Sequence, residues 1–295
     1  MVRYVKYGMY WGCLIPAREL SYEVSVAKVM PAFGVELVKM EETNCCAPFG
    51  IQSLDYVSWL ALAARNLCIG EEMGVDIMTL CNDCYESLLM VNTLLKANPE
   101  LKNQVNEILA EVGKEYKGKV DVKTMIDVLY DDVGVKKVKD AIKNPFTGLK
   151  VATQPGCHLT KPKRIHFGAR EFDAFDELVR ATGAETVSYE RREMCCGGPL
   201  RGINDDLARD VARIKLINMK NAGANCIVTV CPFCFVEFDL GQLEIKRHFK
   251  EEYNLPVIHF AELLRIAMGM KLDDWEIKSH RTPLEPILKG HLKEA

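Results

Sequence analysis

Several things are missing from this 295-residue sequence. It has no run of roughly 18 uninterrupted apolar residues, which excludes an ordinary membrane-spanning helix. Its start, Met1-Val2-Arg3-Tyr4-Val5-Lys6, lacks the apolar stretch and small-residue cleavage site of a secretory signal, so a cytoplasmic location is expected. There is no Gly-x-Gly-x-x-Gly loop and no Cys-x-x-Cys-x-x-Cys run. A dinucleotide fingerprint and a fused ferredoxin module are thereby excluded, and electrons for any redox chemistry would have to come from other subunits. The net charge is only -3. That gives no basis for general attraction to nucleic acid, so partners have to be read from local sites.

Cysteine, in contrast, is abundant: there are twelve. Disulfide frameworks belong to small exported domains, and in a cytoplasmic chain paired cysteines more often bind metal or react. The composition, 48% hydrophobic and 27% charged, is that of a folded globular protein. The chain also repeats itself. Tyr4–Cys13 and Leu149–Cys157 are extended runs ending in Gly-Cys. Gly34–Val38 leads to Cys45-Cys46 as Gly183–Val187 leads to Cys195-Cys196. Gly74–Leu80 precedes Cys81-Asn82-Asp83-Cys84 as Gly223–Val230 precedes Cys231-Pro232-Phe233-Cys234. Val120–Val122 and Pro256–Ile258 form a weaker fourth pair.

Short apolar runs of this kind suit buried parallel strands, and helix-like stretches lie between them at 22–33, 54–73, 83–97, 172–182, 205–222 and 235–253. The expected fold is therefore α/β: two tandem, pseudo-symmetric domains, 1–145 and 146–295, each a mainly parallel sheet covered by helices. The first domain would carry a helical insertion at about 98–119, and residues 136–145 would link the halves. Ligand sites in such sheets lie beyond the strand C-terminal ends, where the ten repeated cysteines fall. The two left over, Cys68 and Cys226, are expected to be small buried hydrophobes. The tail after Met270 is expected either to dock a partner or to pack on its own domain.

Cys46 and Cys81 are separated by 34 residues, as are Cys196 and Cys231. A Cys-x-x-Cys pair alone could be a redox dithiol, a zinc half-site or a pair of cluster ligands. Adjacent cysteines are awkward for one tetrahedral ion but can serve separate irons of a larger core. Each half offers five thiolates, one more than a cubane needs, so either one is free or the cluster is unusual.

The pattern resembles the duplicated Cys-Cys-Gly domain family, and from Tyr7 to about Gly269 it is similar to the B-subunit family of coenzyme B–coenzyme M heterodisulfide reductases. The resemblance implies two noncubane 4Fe-4S clusters. One would be held by Cys13, Cys45, Cys46, Cys81 and Cys84, the other by Cys157, Cys195, Cys196, Cys231 and Cys234. It also implies reduction of the heterodisulfide in methanogenesis, with electrons supplied by two partners, the cluster-containing C and flavin-containing A components of the heterodisulfide reductase. Glycine follows the cysteine pair only as Cys196-Gly197-Gly198; the first half has Cys46-Ala47-Pro48.

An anionic heterodisulfide calls for basic partners, and Lys161, Lys163, Arg164, Arg192 and Arg201 lie beside the second-half cysteines. Gly197 and Gly198 would let the backbone approach the cluster or substrate. His158, directly after Cys157, could give a proton to a leaving sulfur. The rival readings are a related Cys-Cys-Gly iron–sulfur protein with another disulfide, thiol or quinone as acceptor, and a zinc scaffold without catalysis.

Overall fold

The computed structural model describes residues 5–160 and 170–289. Two four-stranded, wholly parallel sheets account for the repeat. The first consists of β1 (Val5–Tyr10), β2 (Val35–Lys39), β3 (Asp76–Thr79) and β4 (Val122–Thr124), in the spatial order β2-β1-β3-β4. The second consists of β5 (Lys150–Gln154), β6 (Glu185–Thr186), β7 (Cys226–Thr229) and β8 (Val257–His259), in the same order, β6-β5-β7-β8. Register repeats too: Tyr7 lies opposite Leu37 and Asp76, and Val151 opposite Thr186 and Cys226. A parallel sheet needs both faces covered, which is why these strands are largely apolar.

The helices form where local chemistry dictates. Helix Tyr56–Met73 is started by the Asp55 carboxylate, which accepts from the Ser58 amide at 3.0 Å. It buries Trp59, Leu60, Ala63, Ala64 and Leu67 along one stripe. Each larger member of that stripe contributes about 1.5–3 kcal/mol by leaving water. The insertion around 98–119 contains helix Pro99–Ala110, and the 136–145 segment includes the end of helix Val135–Asp140.

The two halves are related by a pseudo-twofold arrangement. Helix Phe260–Ala267, after β8, packs on helix Leu20–Val29 of the first half. The helical stretch after β4 packs in turn on helix Arg170–Ala181 of the second. Tyr130 donates to Glu177 at 3.1 Å, and Arg265 to the Ser25 hydroxyl at 3.3 Å, across these two contacts. The buried core runs continuously from the first sheet into the second. The tail packs on its own chain: Leu272, Leu284, Ile287 and Leu288 are buried, and Glu276 pairs with Arg265 at 2.5 Å. Cys68 and Cys226 are both fully buried. Among the described residues no helix is long and apolar enough to cross a membrane.

Candidate functional site

Each Cys-x-x-Cys motif sits where a strand turns into a helix. Cys81 caps helix Asn82–Ala97, with Cys84 in its first turn, and Cys231 and Cys234 do the same for helix Pro232–Phe249. Sulfurs placed there face unpaired amides at the positive end of the helix dipole, which favours thiolate. A threonine at the strand end fixes both turns, Thr79 accepting from the Cys81 amide at 3.5 Å and Thr229 from the Cys231 amide at 3.2 Å.

The cysteine pairs arrive on loops after β2 and β6. Gly197 has φ 98 and a built Cβ would lie 2.7 Å from the Ala208 carbonyl oxygen, so only glycine fits. The bend points amides at sulfur: Gly197 N–H donates to Cys195 Sγ and Gly198 N–H to Cys196 Sγ, each at 3.4 Å. In the first half Ala47 takes the same left-handed turn at φ 54, and its amide likewise bonds Cys45. Pro48, in the place of Gly198, has no N–H to give.

These elements bring the ten repeated cysteines together, and none forms a disulfide. Side-chain hydrogen bonds connect Cys45 to Cys46, Cys46 to Cys84, and Cys84 to Cys81. Cys81 then meets Cys231, and the chain continues through Cys234, Cys196 and Cys195 to Cys157. Cys13 lies at the open end, close enough to Cys45 to act on its charge. Cys81 and Cys231 are equivalent positions of the repeat, so the two sets meet at the pseudo-twofold axis. Donation from Cys45 and Cys84 lowers Cys46 to about 4, and donation from Cys157 and Cys196 lowers Cys195 to about 2. One sulfur of each cysteine pair is thus favoured as thiolate, while the neighbouring sulfurs and burial push Cys84, Cys196 and Cys234 up. Among the described residues no three His, Cys, Asp or Glu side chains surround a single metal ion; the sulfurs are strung along a seam.

The first set lines a small cavity of about 40 Å³, whose wall includes Trp11, Asp83, Pro232 and Phe233, the last two from the second half. Burial, Cys46 and Cys231 push the Asp83 carboxyl up to about 7. Asn82 ties the halves together here, its side-chain amide donating to the Pro155 carbonyl. That contact also explains Gly156, where any Cβ would strike the Asn82 amide.

The other predicted site residues are placed as follows. His158 lies in the short helix after β5, and its Nδ1 faces Glu86 and, at 3.7 Å, Asp83, both from the first half. Arg192, expected as an anion partner, is turned inward. It donates to the Asp176 carboxylate at 3.0 and 2.5 Å and to the Thr153 hydroxyl at 2.6 Å. Arg201 is likewise engaged, its guanidinium paired with Glu237 at 2.7 and 2.8 Å and with Glu244. Sequence adjacency to the cysteines does not reveal these carboxylates, which already supply both guanidiniums with anions. Lys161, Lys163 and Arg164 lie outside the described residues.

One residue that sequence reasoning missed is Lys215. Completely buried, it donates to the carbonyls of Arg191, Arg192 and Met194 at 3.2, 2.8 and 2.8 Å, holding the loop that carries Cys195-Cys196. Arg65 does the same at the equivalent first-half position, reaching the Glu42 carbonyl at 2.7 Å. Lys215 belongs to the buried stripe Ala208, Ala212, Leu216 and Met219. A lysine at that spacing was the available signal.

The cysteine-rich CCG domain family matches the chain twice, at residues 7–88 and 151–239. The B component of a ferredoxin/F420H2-dependent CoB-CoM heterodisulfide reductase from Methanosarcina acetivorans is 41% identical over 93% of this chain and 93% of its own length. The 8-methylmenaquinol:fumarate reductase membrane anchor subunit of Wolinella succinogenes is 29% identical over 90% of this chain and 93% of its own. The crystal structure of a hypothetical protein from Helicobacter pylori superposes with a TM-score of 0.74. It covers 94% of this chain and 52% of that one, but at 16% identity it shows shared fold alone. With the CCG motif matched in both halves and its cysteines gathered on one seam, the chain belongs to the duplicated CCG family of heterodisulfide reductase B subunits.

Proposed function

We propose that this chain is the disulfide-reducing subunit of a CoB-CoM heterodisulfide reductase, working in the cytoplasm of a methanogen and fed by the flavin-containing A and cluster-containing C components of that enzyme. Its two five-cysteine sets would each hold one noncubane 4Fe-4S cluster. The observation that carries this reading is the donor set: ten cysteines outside any disulfide, in two equivalent groups of five that meet at Cys81 and Cys231. The donors fit such a group in chemistry as well as number, because backbone amides reach sulfur on both cysteine-pair loops and one sulfur of each pair is held as thiolate. Bound there, two clusters would supply one electron each, the two that cleavage of a disulfide requires.

The chain's own residues then have separable tasks. The amides of Ala47, Gly197 and Gly198 stabilise ligand sulfur. Lys215 and Arg65 hold the two cysteine-pair loops in register. Trp11, Pro232 and Phe233 shield the buried stretch of the seam at Cys46, Cys81 and Cys84 from water, which strengthens the charge interactions there. His158, beside Cys157 and steadied by Glu86, is the side chain assigned to protonate a leaving thiolate. Lys161, Lys163 and Arg164 are assigned on sequence grounds to the substrate's anionic groups. Arg192 and Arg201, already paired with carboxylates, are assigned to bracing the fold around the second set.

Anaerobic metal analysis tests the reading. About eight irons and eight acid-labile sulfides per chain are expected for two such clusters, falling toward half in Cys81→Ala. Zinc in place of iron would sink the proposal. A second reading is favoured by the Wolinella relative, whose name assigns it to a quinol:fumarate reductase. Here the same seam would pass electrons to another acceptor, and an absence of heterodisulfide turnover with full cluster content would point to it.

A further inference from the structure

The two cysteine sets are equivalent in topology but not in their surroundings, and three differences have the same sign. First, the backbone offers Gly198 N–H to Cys196 Sγ, while the equivalent position in the first half is Pro48, which has no hydrogen to donate. Second, three residues before the strand-end cysteine stands Gln154, whose side-chain amide reaches Cys234 Sγ at 3.9 Å. Its counterpart Tyr10 gives its hydroxyl hydrogen to the Asn44 carbonyl at 2.7 Å instead. Third, the cation behind the loop is the fully buried Lys215 in the second half but the half-buried Arg65 in the first. The three carbonyl acceptors around Lys215 match the three hydrogens of an ammonium, and no carboxylate of the described residues bonds it.

Nearby carboxylates do not reverse the contrast. Asp83 stands beside both Cys46 of the first set and Cys231 of the second, and its own equivalent in the second half is the uncharged Phe233. His158 offsets Glu86 in part. Glu237, which replaces Ser87 in the second half, is matched by Arg201. Water does reach Cys13 and Cys45, the exposed members of the first set. The fixed donors of the second site act in drier surroundings, where each counts for more.

Adding an electron to an iron–sulfur cluster adds negative charge, so hydrogen bonds to its sulfurs and nearby cations raise its reduction potential. We infer, resting on the two-cluster reading above, that the second-half cluster has the higher potential of the pair and takes the first electron. Lys215 and the Gly198 amide are the positioning residues that set the difference. The step is a one-electron reduction by an external one-electron donor, with no bond made or broken.

The test is an anaerobic redox titration with a one-electron mediator, followed by electron paramagnetic resonance, on full-length protein of known iron and sulfide content. Two separate one-electron steps are expected. Lys215→Met should lower the upper step, cutting the reduced-to-oxidised ratio at fixed potential about tenfold, or about 59 mV, and leave the lower step in place. Lys215→Arg should restore it. Pro48→Gly, which gives the first site the missing amide, should raise the lower step alone; it decides the matter if Lys215→Met loads poorly. Coincident steps in the unmodified protein, a Lys215→Met shift of the lower step, or a Pro48→Gly protein with both steps unmoved would each overturn this inference while leaving two clusters standing. Fewer than two clusters in the unmodified protein would overturn the reading beneath it, and this inference with it.

Discussion

Gly197→Ala is the sharpest single perturbation of the site, because the repeat supplies its own control. Gly197 sits at φ 98, well past the small left-handed region open to L residues, whereas Ala47 at the equivalent position sits at φ 54, inside it. A left-handed alanine costs about 1–2 kcal/mol. At 197 the added methyl also meets the Ala208 carbonyl oxygen at 2.7 Å, part of a helix backbone that has little room to retreat. Overpacking of this sort costs about 1–3 kcal/mol more. Gly197→Ala should therefore destabilise the protein by roughly 2–5 kcal/mol and lower the iron content of the second site, since the same peptide donates to Cys195. Ala47→Gly should lie within about 1 kcal/mol of the parent, because relief of strain is offset by a more flexible unfolded chain. Denaturant unfolding of anaerobically loaded protein, with iron measured in parallel, reads both. A Gly197→Ala protein that unfolds at the parent's midpoint and loads fully would refute the steric argument.

Four further outcomes follow from buried polar contacts. His280 and Glu262 form a buried pair at 3.2 Å, so His280→Ala should cost about 3–5 kcal/mol in thermal or denaturant unfolding, the expense of stranding a carboxylate. The pair also sets a pH window. Burial alone would raise Glu262, but His280, His259 and Ser21 outweigh it and hold the carboxyl at about 2, below its usual 4.5. Its contribution is present above 4.5 and lost as pH falls toward 2. Burial opposes charge on His280, yet Glu262 and Asp239 raise it above 6.5, so its contribution is present below 6.5 and lost as pH climbs through the raised value. Glu262→Gln should flatten the acid limb of a stability–pH curve; an unchanged limb would show that other groups govern it. Arg192→Ala and Asp176→Ala should each destabilise the fold, and their double-mutant cycle should give a coupling of about 1–3 kcal/mol, where additivity would mean the pair is not formed. Asn82→Ala should loosen the contact to Pro155 and partly rescue Gly156→Ala, whose methyl it no longer obstructs.

Much of the fold was legible in the sequence because the chain is written twice. Four strand-like runs ending at matched cysteines, with helical stretches between them, are enough to specify two equal sheets, and the observed strand orders are identical. Boundaries were less legible: β6 keeps only Glu185–Thr186 where β2 keeps five residues, since the following turns run directly into the Cys195 loop. The gathering of cysteines within each half could be read from spacing. Their meeting at Cys81 and Cys231 could not, because it depends on how one half packs on the other. The same holds for the arginines. Arg192 and Arg201 stand near cysteines in sequence, but Asp176, Glu237 and Glu244 reach them from helices remote in the chain. Ala47 is a subtler case, since nothing in its identity announces a left-handed turn that its counterpart makes with glycine.

The central claim is that one seam, lined from both halves, delivers two electrons to one disulfide. The direct measurement is to reduce the loaded protein anaerobically by two electrons and add a single equivalent of the CoB-CoM heterodisulfide, following both paramagnetic signals and the released thiols. The account predicts that both halves are reoxidised together, with one coenzyme M thiol and one coenzyme B thiol released per chain, the balance of a two-electron couple. A protein that stays reduced, or in which only one half ever responds, would contradict it.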